Sequence, residues 1–293
     1  MTGFDVVCVG ESMALVTPDP PAPLALGGPA RLDVAGAEST VACYLAMLGA
    51  RAAWASRVGD DPLGRLLLSR IGSYGVDTSL VEVDPAAPTG VFFKDPGERT
   101  AVYYYRAGSA ASRLGPGLVR SLSGLVHLSG ITPALSPSCA ALVEAVLDSG
   151  ATVSFDVNYR PALWPVATAG PVLARLAARA DVVFVGLDEA QALWGVAGPA
   201  DVRDLLPGPA TVVVKDAAEG AYSGDTFVPA LPVEVVEPVG AGDAFAAGYL
   251  FGMLRDLPEP ARLRLGHLVA SAALRVTGDV GELPPTNELL GAL

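Results

Sequence analysis

Short, continuous apolar runs recur along the chain, and between them apolar residues return every three to four positions. The runs DVVCVG (5–10), AAWASRV (52–58), GLVHLSG (124–130), ATVSFDV (151–157), DVVFVG (181–186) and TVVVK (211–215) do not alternate with polar residues, which is the pattern of strands buried on both faces. In ESTVACYLAMLGA, Val41, Tyr44, Leu45 and Leu48 fall at i, i+3, i+4 and i+7, and Gly49 stands where a glycine would stop a helix. Similar amphipathic segments span 62–71, 137–147, 165–178 and 259–276, the last being the longest. Strand and helix in alternation predict an α/β fold, a mainly parallel sheet with helices on both faces.

Two segments break that alternation. Residues 12–35 contain TPDPPAPLALGGPARLDV, and residues 81–106 contain VEVD, TGVFFKD and TAVYYYR, short period-2 runs separated by PAAP and DPGER. They predict a small antiparallel β lid made from two insertions. With no internal repeat and no low-complexity linker, the expectation is a single domain over 1–293 carrying that lid.

Composition narrows the function. The 51% apolar content of 293 residues fills a sizeable core. The start MTGFDVVCVGES lacks a basic segment leading into a long apolar one, and later apolar runs break well short of about 18 residues; a soluble cytoplasmic protein is expected, with no membrane partner. A net charge of -12 without a basic run argues against nucleic acid. Cys8, Cys43 and Cys139 have no CxxC spacing and read as buried thiols. Only two of the 19 basic residues, Lys94 and Lys215, are lysines, so each lysine carries some information.

The chemistry concentrates in EPVGAGDAFAAGY (237–249). Pro238 ends a strand-like VEVVE, and Gly240, Ala241 and Gly242 open a helix whose small residues Ala244, Gly248 and Gly252 share one face, suited to close packing on the sheet. Glycines at a helix N-terminus leave backbone N–H groups open to phosphate or a developing negative charge. Asp243 projects from the same turn. One reading is a dipole-stabilising cap worth about 0.3–1 kcal/mol; the other is a base that takes a proton from an alcohol while the N–H groups hold a phosphoryl group.

PVGAGDAFAAGY resembles the C-terminal signature of the ribokinase-like (PfkB) sugar kinases, and GAESTVACYLAMLGA with RVGDDPLGRLLLSRIGSYGVDT resembles their N-terminal signature, in the right order. YYYRAGSAAS, HLSGITPALSP and DVNYRPALW are similar to the branch that phosphorylates 2-keto-3-deoxygluconate. The resemblance implies a ribokinase-like fold and an ATP-dependent kinase with Asp243 as base and Gly240, Ala241 and Gly242 at the anion hole. It puts Glu189, in GLDEAQ, beside magnesium through water, and Asn158, Lys215, Gly220 and His267 on the nucleotide side. ATP and Mg2+ follow as cofactors, with K+ as a further candidate. The sugar side falls to Gly36, Ala37, Thr40, Phe92, Tyr104, Arg106 and Arg160.

Tyr104 and Arg106 share a face of an alternating strand, so an aromatic wall and a guanidinium could reach one ligand. Arg106 and Arg160 could together fork a carboxylate that a protein of this charge would otherwise repel; each could equally form a surface ion pair. Thr40 replaces a usual asparagine and Phe92 a tyrosine; Gly186, Ala217, Glu219 and His267 also depart from the pattern around the nucleotide. Another sugar kinase, acting on fructose, ribose or a nucleoside, and a catalytically silent sugar or nucleotide sensor on this fold remain as alternatives. The lid's exposed strand edges imply a homo-oligomer, at least a dimer.

Overall fold

The computed structural model describes residues 3–97, 100–122 and 124–293. The strands are β1 (Val6–Val9), β2 (Met13–Pro18), β3 (Ala30–Ala35), β4 (Ala52–Gly59), β5 (Val81–Asp84), β6 (Val91–Asp95), β7 (Ala101–Tyr105), β8 (Leu125–Ser129), β9 (Thr152–Asp156), β10 (Val182–Gly186), β11 (Thr211–Asp216), β12 (Gly220–Ser223) and β13 (Thr226–Pro229). The helices are α1 (Ala37–Met47), α2 (Pro62–Ser73), α3 (Thr132–Leu135), α4 (Pro137–Leu147), α5 (Val166–Ala177), α6 (Leu187–Trp194), α7 (Pro199–Leu205), α8 (Ala241–Leu254), α9 (Glu259–Ala273) and α10 (Thr286–Gly291).

Nine strands form one sheet in the order β13-β12-β11-β10-β9-β8-β1-β4-β5. From β11 to β5 every neighbouring pair is parallel, and the β12–β13 hairpin closes one edge antiparallel. The six continuous apolar runs all became strands of this sheet because both of its faces are covered. Tyr44, Trp54, Tyr249 and Phe251 fill one core with α1, α2, α8 and α9; Phe155, Leu142, Leu173 and Leu206 fill the other with α4 and α5. Each fully buried large side chain contributes about 1.5–3 kcal/mol.

Helix starts follow the expected chemistry. Asp61 caps α2 by accepting from Gly64 N at 2.7 Å with Pro62 at the first position, and Ser136 caps α4 through Cys139 N at 3.1 Å. Gly49 leaves α1 at φ 99°. The three cysteines are buried and free.

The small sheet has the order β3-β2-β6-β7, two antiparallel pairs joined through parallel β2 and β6. Three expectations are corrected. VEVD, assigned to the lid, is β5 and pairs in parallel with β4 at the edge of the large sheet. VEVVE (233–237) is not a strand; Val236 N bonds to Leu274 O at 2.8 Å instead, beyond the end of α9. The small face of α8 meets α9 rather than the sheet: a Cβ on Gly248 would fall 2.6 Å from Leu265 O, and one on Gly252 would fall 3.2 Å from Arg262. The sheet side of α8 is taken by Tyr249, edge-on to Phe184 of β10 at 5.3 Å.

Candidate active site

Parallel strands point their carboxyl ends at one edge of the sheet, where open α/β folds hold ligands. Here those ends, the lid and the start of α8 enclose a cleft of about 440 Å3. Gly10–Glu11 follows β1, Asn158–Arg160 follows β9, Glu189 lies one turn into α6 after β10, and Lys215 is near the end of β11. Loops that follow buried strands can carry polar groups the strands themselves cannot bury.

Asp243 stands at the first turn of α8. Gly240 adopts a left-handed φ of 80°, and no side chain caps the helix, so the amides of Gly242 and Asp243 have no intrahelical acceptor and remain available to an anion. The Ala241 amide is less open, turned to Pro238 O at 3.4 Å. Glycine at 242 also admits Lys215: a Cβ there would sit 3.2 Å from its Nζ.

A charged cluster surrounds this turn. Lys215 Nζ donates to Asp156 Oδ2 at 2.6 Å, and Asp156 Oδ1 accepts the Asn158 amide at 3.2 Å. Asn158, at a left-handed φ of 40°, donates from Nδ2 to Asp243 Oδ1 at 3.2 Å. Burial, then the charge of Asp156, pushes the Asp243 carboxyl well above the usual carboxylate range, while Lys215 and Arg160 pull it back. Burial and Asp156 raise Glu189 in the same way. Burial opposes the charge of Lys215, but Asp156 and Glu189 outweigh it and hold the amine protonated.

Glu189 does two things at once. Its Oε2 accepts the Gly186 amide at 3.0 Å, capping α6, and its Oε1 lies 3.4 Å from Arg160 Nη1. Glycine at 186 makes room for this, since a Cβ would fall 2.6 Å from Asp188 and 3.3 Å from Glu189.

The lid supplies the opposite wall. Phe92 stacks on Tyr104 at 5.4 Å and 24°, and the Arg106 guanidinium lies 5.8 Å from the Tyr104 ring centre. Tyr103 and Tyr105 face outward. Arg106 is not free: its Nε donates to the buried carboxylate of Glu11 at 2.6 Å. Arg160 is nearly half exposed, and its Nη1 also donates to Tyr159 O at 3.1 Å.

The cleft thus brings together Gly36, Ala37, Phe92, Tyr104, Arg106, Asn158, Arg160, Glu189, Lys215, Gly240, Gly242 and Asp243. It does not include four expected residues, of which Ala241 is one, its amide turned to Pro238 O. Thr40 is buried in α1 and lines a separate small pocket together with Asp33 and Asp279. Gly220 starts β12, where a Cβ would run into Val228 O. His267 is buried edge-on to Phe245, with Nε2 3.0 Å from Val228 O, a packing role. Three cleft groups, Glu11, Lys94 and Asp279, and Asp156 buried against Lys215 were not anticipated. Asp156 and Glu11 share a readable signal, an acid at the end of a buried parallel strand. Lys94 is one of two lysines, both of which line the cleft. Asp279 has no local signal at all.

Among the described residues no group of three or more His, Cys, Asp and Glu could hold a metal unaided. The cleft nonetheless suits a hydrated divalent ion carried in by phosphates, because the carboxyl groups of Asp243 and Glu189 both line it and a hard cation takes oxygen ligands.

A buried carboxylate beside open helix amides, facing an aromatic and cationic lid, defines a phosphotransferase site for an alcohol acceptor. The pfkB family carbohydrate kinase profile matches residues 4–286, and the chain belongs to that family. It is a carbohydrate kinase. It is 38% identical to the 2-dehydro-3-deoxygluconokinase of Thermoproteus tenax and 36% identical to that of Bacillus subtilis strain 168, in each case over 99% of this chain and 95% of the relative. The crystal structure of a PfkB protein from Polaromonas sp. JS666 superposes with a TM-score of 0.87 at 35% identity, covering 98% of this chain and 99% of that one.

Proposed function

We propose that the protein transfers the γ-phosphoryl group of ATP to the terminal hydroxyl of 2-keto-3-deoxygluconate or a closely similar sugar acid. The carrying observation is the meeting of Asp243, the open amides of α8 and the guanidiniums of Arg106 and Arg160 in one cleft. Relatives of that name spanning nearly the whole chain support the choice of acceptor.

Asp243 takes the hydroxyl proton as the acceptor oxygen forms its bond to the γ-phosphorus. The bond from that phosphorus to the bridging oxygen breaks and ADP leaves. The amides of Gly242 and Asp243 hold the charge that develops on the phosphoryl oxygens. Asn158 orients Asp243, and Lys215 keeps the cluster from becoming too negative for an anionic donor. Mg2+, held near Glu189 through water, would neutralise phosphate charge. Tyr104 and Phe92 form the surface against the carbon chain, and the guanidiniums face its carboxylate.

The test is phosphate transfer from ATP to a panel of 2-keto-3-deoxygluconate, its C4 epimer, fructose, ribose and a nucleoside. A preference for either keto-deoxy acid is expected. A preference for a neutral sugar removes the acid reading, and no transfer to any acceptor favours the sensor. Replacing K+ with Na+ in the same assay tests the monovalent ion. Among the described residues no helix is long and apolar enough to cross a membrane, and we assign the reaction to the cytoplasm, where ATP is available.

We also infer a dimer formed through the lid. Leu32, Val16, Phe93 and Tyr103 stand in register across all four strands on the face away from the cleft. Leu32, Tyr103 and Tyr105 on that face are 48%, 50% and 65% exposed, an apolar row suited to a second copy. Light scattering at assay concentration should give at least twice the chain mass; a fully active monomer rules the dimer out.

A further inference from the structure

Lys94 is nearly inaccessible although it sits on the lid, and its amine is paired with Glu237 of the body. Glu237 lies three residues before Gly240, with Pro238 stiffening the connection. Its chain is anchored by Val236 N to Leu274 O. Gly240 in turn presses on Asp279: a Cβ there would be 2.9 Å from Asp279 O. The Asp279 carboxyl lies near Lys94 and Glu237, and its buried Oδ1 has no partner.

The lid's other buried links, Arg106 to Glu11, Ser12 to Ser39 and Thr89 to Gly59, run to the segment after β1, to α1 and to the end of β4 rather than to the α8 turn, and further links lie at the surface. Arg31 reaches Thr277 at 3.1 Å in an exposed contact, and Arg70, 46% exposed, stands 3.8 Å from Asp33. Exposed pairs of this kind hold little. The Lys94–Glu237 pair is shielded from water and adjoins the turn that receives phosphate.

We propose that the Lys94–Glu237 ion pair fastens the lid to the Gly240–Gly242 turn, so that an acceptor closing the lid also sets the turn for the nucleotide. This rests on the kinase reading above but not on which sugar is phosphorylated. Lys94 is then a positioning residue. It touches no reacting atom, and its removal weakens the coupling between the two substrates rather than either site alone. Coupling of this kind is reciprocal.

The experiment measures ADP affinity by calorimetry with and without a saturating acceptor, using whichever sugar the wild-type enzyme phosphorylates fastest or, failing any, binds most tightly. The acceptor should tighten ADP binding by about 10-fold in the wild type. In Lys94→Gln and in Glu237→Gln the ratio should fall below about 3-fold, with kcat/KM for ATP falling by a similar factor. The charge-swapped K94E/E237K double variant should regain most of the ratio, and Lys94→Arg should keep it. A purely structural role would lower Tm and leave the ratio intact. The proposal is overturned by a wild type without coupling, by a single neutral variant that keeps it, or by a folded Lys94→Arg that loses it. If the panel prefers a neutral sugar the acid reading fails, while the coupling is measured with that sugar unchanged.

Discussion

Asn158 Nδ2 donates to Asp243 Oδ1 across 3.2 Å, although the two residues are 85 positions apart. The contact exists because β9 ends at Asp156 and the chain then turns through a left-handed Asn158, aiming its amide at the first turn of α8. Asparagine tolerates that conformation better than most residues. The Asp243 carboxyl is therefore oriented by a neutral donor, with Lys215 and Arg160 favouring its ionised form while burial and Asp156 work against it.

Asp243→Asn keeps shape and removes the basic oxygen. Turnover should fall by about 100-fold or more, with sugar binding changed only a few-fold, as read by kcat and by calorimetric Kd. Turnover within a few-fold of wild type would show that the carboxylate is only a helix cap.

Ala217, between β11 and β12, has φ 42°, a conformation that favours glycine. A left-handed alanine costs about 1–2 kcal/mol, part of which glycine returns through its freer unfolded chain. Ala217→Gly should therefore stabilise the protein by about 0.5–1 kcal/mol, raising Tm by roughly 1–4 °C for a domain of this size. A lower Tm in scanning calorimetry would mean that the turn is not strained.

The parallel core was legible because both faces of each strand are buried, so its apolar runs are uninterrupted. The antiparallel hairpin GAYSGDTFV was not, since Tyr222 and Phe227 pair with each other at 4.6 Å on a half-covered edge and leave only a weak alternation. VEVD looked like lid because its period-2 pattern marks any edge strand, whichever sheet it joins. In the site, Asp243 and its glycines were legible from local sequence. The partners that hold the cations were not: Glu11 lies 95 residues from Arg106, and Glu237 lies 143 from Lys94. Thr40 and His267, assigned through the family resemblance, lie outside the cleft, one in the first turn of α1 and the other in the middle of α9. Both are turned into the core.

Asp279 gives the protein a pH-dependent weakness. Burial raises its carboxyl from 3.8 to about 6, Lys94 opposing the shift and Glu237 and Asp33 adding to it. Below about pH 4 the group is protonated in both folded and unfolded chains, and its neutral form costs nothing. As pH rises toward 6 the unfolded chain ionises first, so stability is lost, and the loss is complete above the folded value. Asp279→Asn removes that loss. It should gain roughly 1–3 kcal/mol at pH 8 and about a third as much at pH 4.5, measured as denaturant midpoints at the two pH values. An equal gain at both would mean that packing, not ionisation, is responsible.

The two arginines that line the cleft should not respond alike. The Arg106 guanidinium is 11% exposed and neutralises Glu11, whose side chain is fully buried and which also accepts from Ser109 Oγ at 2.5 Å. Arg106→Ala strands that carboxylate, an error worth about 3–5 kcal/mol, so Tm should drop and every acceptor should suffer. Arg160 is 47% exposed, and its 3.4 Å contact with Glu189 is loose enough to be exchanged for a ligand. Losing a charge-assisted hydrogen bond costs about 1.5–3 kcal/mol. Arg160→Ala should accordingly lower kcat/KM on 2-keto-3-deoxygluconate by about 10- to 150-fold, with Tm nearly unchanged and neutral hexoses affected far less. The ratio of acid to neutral kcat/KM is the measurement that separates the two. If Arg160→Ala weakens all acceptors equally, Arg160 serves Glu189 and the nucleotide side, and the carboxylate must be met by the lid alone.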